Sequence, residues 1–445
     1  MKDKNVLIVG MGKSGVAAYN ALRTLGSKIS IQDSKELNRE DFPGATCYFS
    51  KMPDDFKEFD MIVLSPGVDP ESEFVMKAKA EGCEIVGELE LAYRLAKGTF
   101  VGITGTNGKT TTTTLVGEIF KNAKVNSAVV GNIGFPVITE SLRSTDDEWL
   151  ITEVSSFQLQ TTSQFKPKVS AILNLTPDHL NRHHTMEEYG RTKALINKMQ
   201  DENGYFIINY DDEVCMELCL SKVGKPKAKV AYFSRKKELD FGAYLLGDKL
   251  VLKDENGVVT EYVDRHDLKI IGDHNVENAL AAIAICHFSG IPKKPIVDTL
   301  KAFPGVEHRI EFAGEKNGVK YYNDSKGTNV DAAVIALKAI EHDIILIAGG
   351  DAKSQEFDEL IKNFPGRVKH MVLIGRDAPM IQAAADKYGF KDYTYGRDME
   401  ECVKIAHDIA VNGDTVLLSP ACASWDMYKN YEIRGDHFKS IVKTL

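Results

Sequence analysis

The sequence predicts an α/β protein of three consecutive domains, each built on a largely parallel sheet. Three observations predict it. The chain has 445 residues, and at about 150 residues per domain that suggests three. Apolar strand-like runs alternate with helical patterns three times over, which reads as parallel sheets covered by helices. The first two series each open on a glycine-rich turn directly after their first strand, where parallel sheets present ligands.

The elements follow in order. Residues 6–10, 29–33 and 61–65 read as strands with helices between them, and a helix over 88–97 closes the set. The second series opens at 100–104 and continues at 150–154, 169–173 and 205–209. Residues 228–265, rich in Lys, Asp, Gly and Val with short alternations, read as β-hairpins inserted at the edge of this domain. An Ala-rich helix over 277–288 and its successor lead to Phe303-Pro304-Gly305. The third series holds strands at 343–349, 368–375 and 415–419. Breaks at Gly98 and near 302–305 give domains of 1–97, 98–303 and 304–445.

Composition narrows the function classes. With 43% hydrophobic and 27% charged residues, the chain has ample material for packed cores. No apolar run approaches the ~20 residues of a membrane helix. The N-terminus enters a strand pattern at once, leaving no room for a signal peptide, so a cytoplasmic protein is expected. Seven scattered cysteines, with Cys215 and Cys219 a lone i,i+4 pair, read as reduced thiols. Lys and Arg number 55 against 64 Asp and Glu, a net charge of −9. That balance argues against nucleic-acid or anionic-membrane partners, and anionic ligands would need local cations.

Gly102-Ile-Thr-Gly-Thr-Asn-Gly-Lys-Thr110 follows a strand and precedes a Thr-rich helix. Such glycines let backbone N–H groups converge on phosphate oxygens at a positive helix N-terminus. Lys109 would reach the terminal phosphates and the Thr110 hydroxyl would ligate Mg²⁺. The spacing departs from the strict phosphate-loop pattern, since Ile103 stands five residues before Gly108. A nucleoside triphosphate site is expected. Gly10-Met-Gly-Lys-Ser-Gly15 also opens a helix after a strand, and Asp33 lies 18 residues beyond Gly15 at the end of the next strand. That fingerprint takes a diphosphate with a ribose, from either a nicotinamide cofactor or a nucleoside-diphosphate substrate.

Downstream, Glu153 ends one strand and His179 follows the next, both on the side of the phosphate loop. A carboxylate there suits Mg²⁺. His183 and His184 read as exposed loop residues, and Lys193 by itself as a solvated lysine. In the last third, Asn323-Asp-Ser-Lys-Gly-Thr-Asn329, Gly349-Gly-Asp-Ala-Lys353 and Ser419-Pro-Ala-Cys-Ala-Ser424 form polar loops at strand ends, a convergent binding face. Arg309, Lys326 and Lys353 are cations placed where an anion would dock.

Taken together, the chain resembles the Mur ligases, ATP-dependent amide-forming enzymes of peptidoglycan precursor synthesis, over essentially its whole length. The resemblance rests on Thr104-Gly-Thr-Asn-Gly-Lys-Thr110, Gly131-Asn-Ile-Gly134, Thr152-Glu-Val-Ser-Ser156, Asn174-Leu-Thr-Pro-Asp-His179, Gly272-Asp-His-Asn-Val-Glu-Asn278, His308-Arg309 and Asn323-Asp-Ser-Lys326. It implies a Rossmann-like N-terminal domain, a P-loop ATPase central domain and a Rossmann-like C-terminal domain. Gly350-Asp-Ala-Lys353 and Leu418-Ser-Pro-Ala-Cys-Ala-Ser-Trp-Asp426 resemble the branch that adds D-glutamate to UDP-N-acetylmuramoyl-L-alanine, and the Asp-Asn-Pro-Arg signature of the diaminopimelate- or lysine-adding branch is absent.

The resemblance also implies roles. Gly12, Lys13, Ser14, Gly15, Asp33, Ser65, Gly67 and Asn132 would hold the UDP substrate. Gly105, Thr106, Asn107, Gly108, Lys109, Thr110, Thr111, Asn278, Arg309 and Asp324 would bind ATP. Lys326, Thr328, Lys353, Ser424 and Tyr431 would surround D-glutamate, although the family often has Phe at Tyr431 and Leu at Trp425. Thr110, Glu153, His179 and Lys193 would hold two Mg²⁺ ions, Lys193 after CO₂ has converted it to a carbamate, and Lys109, Glu153, His179 and Lys193 would be catalytic. A monomer is expected. The rival readings are a nicotinamide oxidoreductase using Gly10–Gly15 and a nucleotide-gated binding module; the latter leaves Glu153, His179 and the C-terminal loops unexplained.

Overall fold

The computed structural model describes every residue except Glu341 and Ser354. It holds three sheets. The first contains β1 (Asn5–Val9), β2 (Lys28–Asp33), β3 (Thr46–Phe49), β4 (Met61–Leu64) and β5 (Glu84–Gly87) in the order β3-β2-β1-β4-β5, all parallel. The strand order reverses between β1 and β4, which opens a crevice at their carboxyl ends. The tetrapeptide Val6-Leu7-Ile8-Val9 shows why the run is wholly apolar. Val6 and Ile8 enter one hydrophobic cluster and Leu7 and Val9 another, because helices cover both faces. Each such side chain contributes about 1.5–3 kcal/mol by burial.

The second sheet comprises β6 (Thr99–Thr104), β7 (Ser127–Gly131), β8 (Trp149–Glu153), β9 (Val169–Ile172), β10 (Tyr205–Asn209), β11 (Lys229–Ser234), β12 (Gly242–Leu246), β13 (Lys249–Lys253) and β14 (Val259–Asp264). Their order is β14-β13-β12-β11-β10-β9-β6-β8-β7. The stretch read as inserted hairpins is only partly so. β11 and β12 extend the main ladder in parallel, and antiparallel pairing begins at β12–β13. Alternation alone does not separate a hairpin strand from the next parallel one.

The third sheet holds β15 (Glu311–Lys316), β16 (Val319–Asn323), β17 (Ile344–Gly349), β18 (Val368–Ile374), β19 (Tyr393–Tyr395) and β20 (Thr415–Leu418), ordered β15-β16-β20-β17-β18-β19. Only β15 runs antiparallel to its neighbour. Ile344 and Leu346 pack into one cluster and Ile345 and Ile347 into another, so this sheet too is covered on both faces. The molecule is thus a three-domain α/β protein. It divides into two compact units, one of Met1–Asp267 with Glu277–Lys301, the other of Leu268–Val276 with Ala302–Leu445.

Candidate active site

In the first sheet, the turn after β1 is tied to the turn after β4 by Ser65 Oγ, which donates to the Gly10 carbonyl at 2.6 Å. Gly10 has φ +85° and starts the turn. A Cβ on Gly15 would overlap that same carbonyl oxygen, whereas one on Gly12 would meet nothing within 4 Å. Gly15 is therefore glycine for packing, and Gly12 faces space that a ligand can fill. The helix Lys13–Thr24 starts with no side-chain cap, leaving its first N–H groups available to an anion. Asp33 holds this turn: its carboxylate accepts from Met11 N at 2.7 Å and Lys35 N at 2.9 Å. Ser65 and Gly67 flank the same crevice.

In the second sheet, the phosphate loop leaves β6 and starts the helix Lys109–Asn122, with Gly105 at φ +152° and Gly108 at φ +80°. Asn174, beyond β9, clamps it: Asn174 Oδ1 accepts from Thr106 N and Asn107 N at 3.1 and 2.8 Å, and Asn174 Nδ2 donates to Asn107 O at 3.1 Å. Asn174 opens the Asn174–His179 motif, but its clamping role has no local signature. Asn278 packs against Gly108 and accepts from Thr112 Oγ1 at 3.3 Å, so the helix Asp273–Phe288 reaches the loop. Thr110 and Thr111 lie in the first turn of the helix Lys109–Asn122.

Glu153, at the end of β8, is buried. Its Oε1 accepts from Asn132 Nδ2 at 2.9 Å, and its backbone carbonyl accepts from Asn132 N at 3.0 Å. Its Oε2 is buried with no partner among the described residues. A desolvated carboxylate oxygen with nothing to bind is costly, and Mg²⁺, a hard cation, fits it. His179, in left-handed conformation at φ 54°, lies half-exposed with its ring 4.8 Å from that of Phe157.

Lys193 is not solvated. It is 1% exposed, on the helix Met186–Ala194, and its Nζ donates to the Gly105 carbonyl at 2.8 Å while lying 4.6 Å from the Tyr189 ring centre. Burial, and after it the Lys109 charge, pull its pKa down to about 7. Lys109 Nζ meanwhile donates to Gly105 O and Thr106 O at 2.9 and 2.8 Å. His183 is also buried rather than exposed, because its ring stacks between Phe157 and Tyr189. His184 is exposed, as expected. His183 Nε2 shares a 2.9 Å hydrogen bond with Ser156 Oγ, and burial, then Lys193, lower its pKa to about 4, so it is neutral at pH 7.

In the third sheet, the loops after β16, β17 and β20 are tied to one another. Asp351 and Ala423 exchange backbone hydrogen bonds at 2.9 Å. Arg434, buried on the helix Tyr431–Thr444, donates to Ser325 Oγ at 2.9 Å, Ser325 O at 2.8 Å and Cys422 O at 3.1 Å. The sequence reading missed Arg434. Asp324 accepts from Ser419 Oγ at 2.7 Å and Ile310 N at 3.3 Å, and burial pushes its pKa up to about 6 against the pull of Arg309. Arg309 Nε is buried with no hydrogen-bond partner among the described residues. Lys326 Nζ lies 5.7 Å from the Tyr431 ring centre and Lys353 Nζ 4.2 Å from that of Trp425. Thr328 is half-buried and Ser424 buried, each on one of these loops.

Comparison with known proteins agrees with this geometry. The family descriptions "Mur ligase MurD-like, N-terminal domain", "Mur ligase middle domain" and "Mur ligase, glutamate ligase domain" match residues 4–87, 103–286 and 308–422. The UDP-N-acetylmuramoylalanine--D-glutamate ligase of Thermoanaerobacter sp. (strain X514) is 46% identical over 455 aligned positions, covering 100% of this chain and 99% of that protein. The protein of the same name in Clostridioides difficile (strain 630) is 45% identical, with 100% and 99% coverage. Among solved structures, UDP-N-acetylmuramate-alanine ligase MurC of Thermotoga maritima shares the fold at 20% identity and TM-score 0.59, with 99% of each chain covered. MurF ligase of Thermotoga maritima, solved with ADP, shares it at 17% identity and TM-score 0.59, with 100% and 96% coverage. Full-length identity at this level, three matched domains and a shared three-domain fold lead to one conclusion: the chain belongs to the Mur ligase family.

Proposed function

We propose that this chain is an ATP-dependent ligase that joins D-glutamate to UDP-N-acetylmuramoyl-L-alanine in peptidoglycan precursor synthesis, releasing ADP and phosphate. The observation that carries the reading is end-to-end identity of 45–46% to ligases of that name. Buried Lys193 against the Gly105 carbonyl of the phosphate loop, and buried Glu153 with its unpartnered Oε2, support it.

The chemistry follows from the electrophile. A carboxylate is unreactive towards amines, so the alanyl carboxylate first attacks the γ-phosphorus of ATP, forming an acyl phosphate and releasing ADP. The D-glutamate amine then attacks the acyl carbon, loses a proton, and expels phosphate. Residues 98–303 are the ATP domain in this reading. Gly105 to Thr111 and Asn278 hold the nucleotide, Lys109 exchanges its loop carbonyls for phosphate oxygens, and Arg309 and Asp324 are further nucleotide contacts. Residues 1–97 are the UDP-substrate domain, with Gly12 to Gly15, Asp33, Ser65 and Gly67 as contacts, and Asn132 serving the amino-acyl end. Residues 304–445 are the acceptor domain, where Lys326, Thr328, Lys353, Ser424 and Tyr431 offer cations and donors to the two carboxylates of D-glutamate.

Thr110, Glu153, His179 and Lys193 are the residues that would hold Mg²⁺, two ions in this reading, which neutralises charge on the transferring phosphoryl group when bound. Lys193 supports this in a particular way. With its pKa drawn down to about 7, a substantial share of this amine is neutral near pH 7, so its nitrogen can bond to CO₂ with loss of a proton. The resulting carbamate is an anionic oxygen ligand of the kind Mg²⁺ prefers. No helix among the described residues is long and apolar enough to cross a membrane. A monomer acting in the cytoplasm completes the reading.

The test is phosphate release and amide formation with ATP, Mg²⁺, UDP-N-acetylmuramoyl-L-alanine and a panel of amino acids. D-glutamate should be preferred over every other member. Turnover with D-glutamate no better than with L-alanine would overturn the assignment.

A further inference from the structure

The helix Met186–Ala194 carries Lys193 to the phosphate loop, but Arg191 and Ala194 line a different space. That space is a concave pocket of about 490 Å³, walled by Asn197 and Lys198 beyond the helix and by residues 222–227. The 222–227 loop follows a π-helical turn, Glu217–Ser221, of a kind that often marks functional sites. The turn is fastened to the Lys193 helix by Cys219 Sγ, 3.5 Å from the Gly190 carbonyl. Gly224, at φ +91°, and Pro226 shape the loop's backbone.

The pocket's charge sets it apart. Arg191, Lys198, Lys222, Lys225 and Lys227 line it, with no carboxylate among its lining residues, in a chain of net charge −9. Arg191 pairs with Glu187 at 2.9 Å and Lys222 with Glu217 at 3.0 Å, both outside the pocket lining. Lys198, Lys225 and Lys227 have no ion pair among the described residues. Ammonium groups gathered around one concavity repel each other, and an anion seated among them would reverse that cost. Several mobile point charges suit clustered phosphate oxygens better than one planar carboxylate, which a guanidinium fork reads best. A concave wall also suits a compact ligand rather than a flat lipid surface.

We propose that this pocket binds a compact polyanion bearing two or more phosphate groups, at a site separate from the phosphate loop. It rests on none of the ligase chemistry. The probe is inorganic tripolyphosphate, titrated calorimetrically into the full chain whose phosphate loop is already filled with Mg²⁺ and a non-hydrolysable ATP analogue. One further equivalent should bind, more weakly as salt rises. Its affinity should fall at least tenfold in a Lys225→Ala/Lys227→Ala variant, and also in Lys198→Ala, with affinity for the ATP analogue unchanged in both. Absence of a further equivalent, or equal affinity in the variants, overturns the proposal. So does binding of phosphatidylglycerol vesicles without binding of tripolyphosphate, which would assign the cations to a membrane surface.

Discussion

Lys193 and Lys109 donate to one oxygen, the carbonyl of Gly105, at 2.8 and 2.9 Å. Two ammonium groups on one acceptor repel, and one of the two is fully buried. The buried one yields: Lys193 is drawn down to about pH 7, first by burial and then by Lys109. The phosphate loop itself thus lies against the amine that the ligase reading turns into a carbamate.

The first prediction follows from that amine. In ¹³C-bicarbonate, the protein should show a carbamate carbon signal that grows as pH rises from 6 to 8, since only the neutral amine reacts. Lys193→Ala should abolish the signal and lower kcat about a thousandfold while the fold survives, matching the several kcal/mol that metal-assisted charge stabilisation supplies. Lys193→Arg should fail equally, because a guanidinium stays protonated. A normal kcat in Lys193→Ala would remove the carbamate from the account.

The two glycines of the first turn should behave oppositely. A Cβ at Gly12 meets no protein atom within 4 Å, so Gly12→Val should leave the domain folded with nearly its usual melting temperature and lose the UDP substrate while keeping ATP. Gly15→Ala drives a methyl group into the Gly10 carbonyl and should lower the melting temperature. Parallel calorimetry and substrate titration distinguish them. Equal loss of ATP and UDP substrate in Gly12→Val would show that the turn, not the ligand, was damaged.

Glu88 gives a stability test. It is buried at the start of the helix Glu88–Leu95, accepts from Ile138 N at 2.7 Å, and burial raises its pKa from 4.5 to about 7. A raised carboxyl pKa means the folded chain holds this proton more tightly than the unfolded one. Its stabilising effect is therefore full below about pH 4.5 and is lost as pH climbs through about 7. Glu88→Gln cannot ionise, so its stability relative to wild type should improve by about 2–3 kcal/mol between pH 5 and 8. Denaturant midpoints at both pH values check this, and a constant difference would mean that the wild-type carboxyl is not perturbed.

The acceptor side is tested at Lys353. Its ammonium lies 4.2 Å from the centre of the Trp425 ring, on the loop after β17. Lys353→Ala should raise the KM for D-glutamate roughly ten- to hundredfold, the value of a charge-assisted contact, and the KM for ATP no more than that. An unchanged D-glutamate KM would place the lysine outside the acceptor site.

What the sequence disclosed was what depends on neighbours in the chain. Gly10, Gly105 and Gly108 announce themselves because turns impose local backbone demands, Gly15 because its turn packs a carbonyl against it, and doubly covered strands such as Val6 to Val9 are apolar at every position. Burial of a polar side chain is decided by elements far apart in sequence. Lys193 and His183 read as surface residues until Tyr189, Phe157 and the phosphate loop close over them. Arg434 did leave a trace, since it shares a helix face with the buried Phe438 and Val442 at spacings of four and eight, where a charge demands a partner. For Glu90 only Arg94, four residues on and 2.8 Å from it, is visible in the sequence; the backbone N–H groups of Ser163, Gln164 and Phe165 that also satisfy it lie more than 70 residues away.

ATP activates the substrate carboxylate for attack by D-glutamate in this mechanism, and oxygen tracing follows that step atom by atom. UDP-N-acetylmuramoyl-L-alanine labelled with ¹⁸O in its alanyl carboxylate should transfer one labelled oxygen to the released phosphate for each amide formed, because the acyl phosphate breaks at its acyl carbon–oxygen bond. Unlabelled phosphate accompanying D-glutamate ligation would show that no acyl phosphate forms.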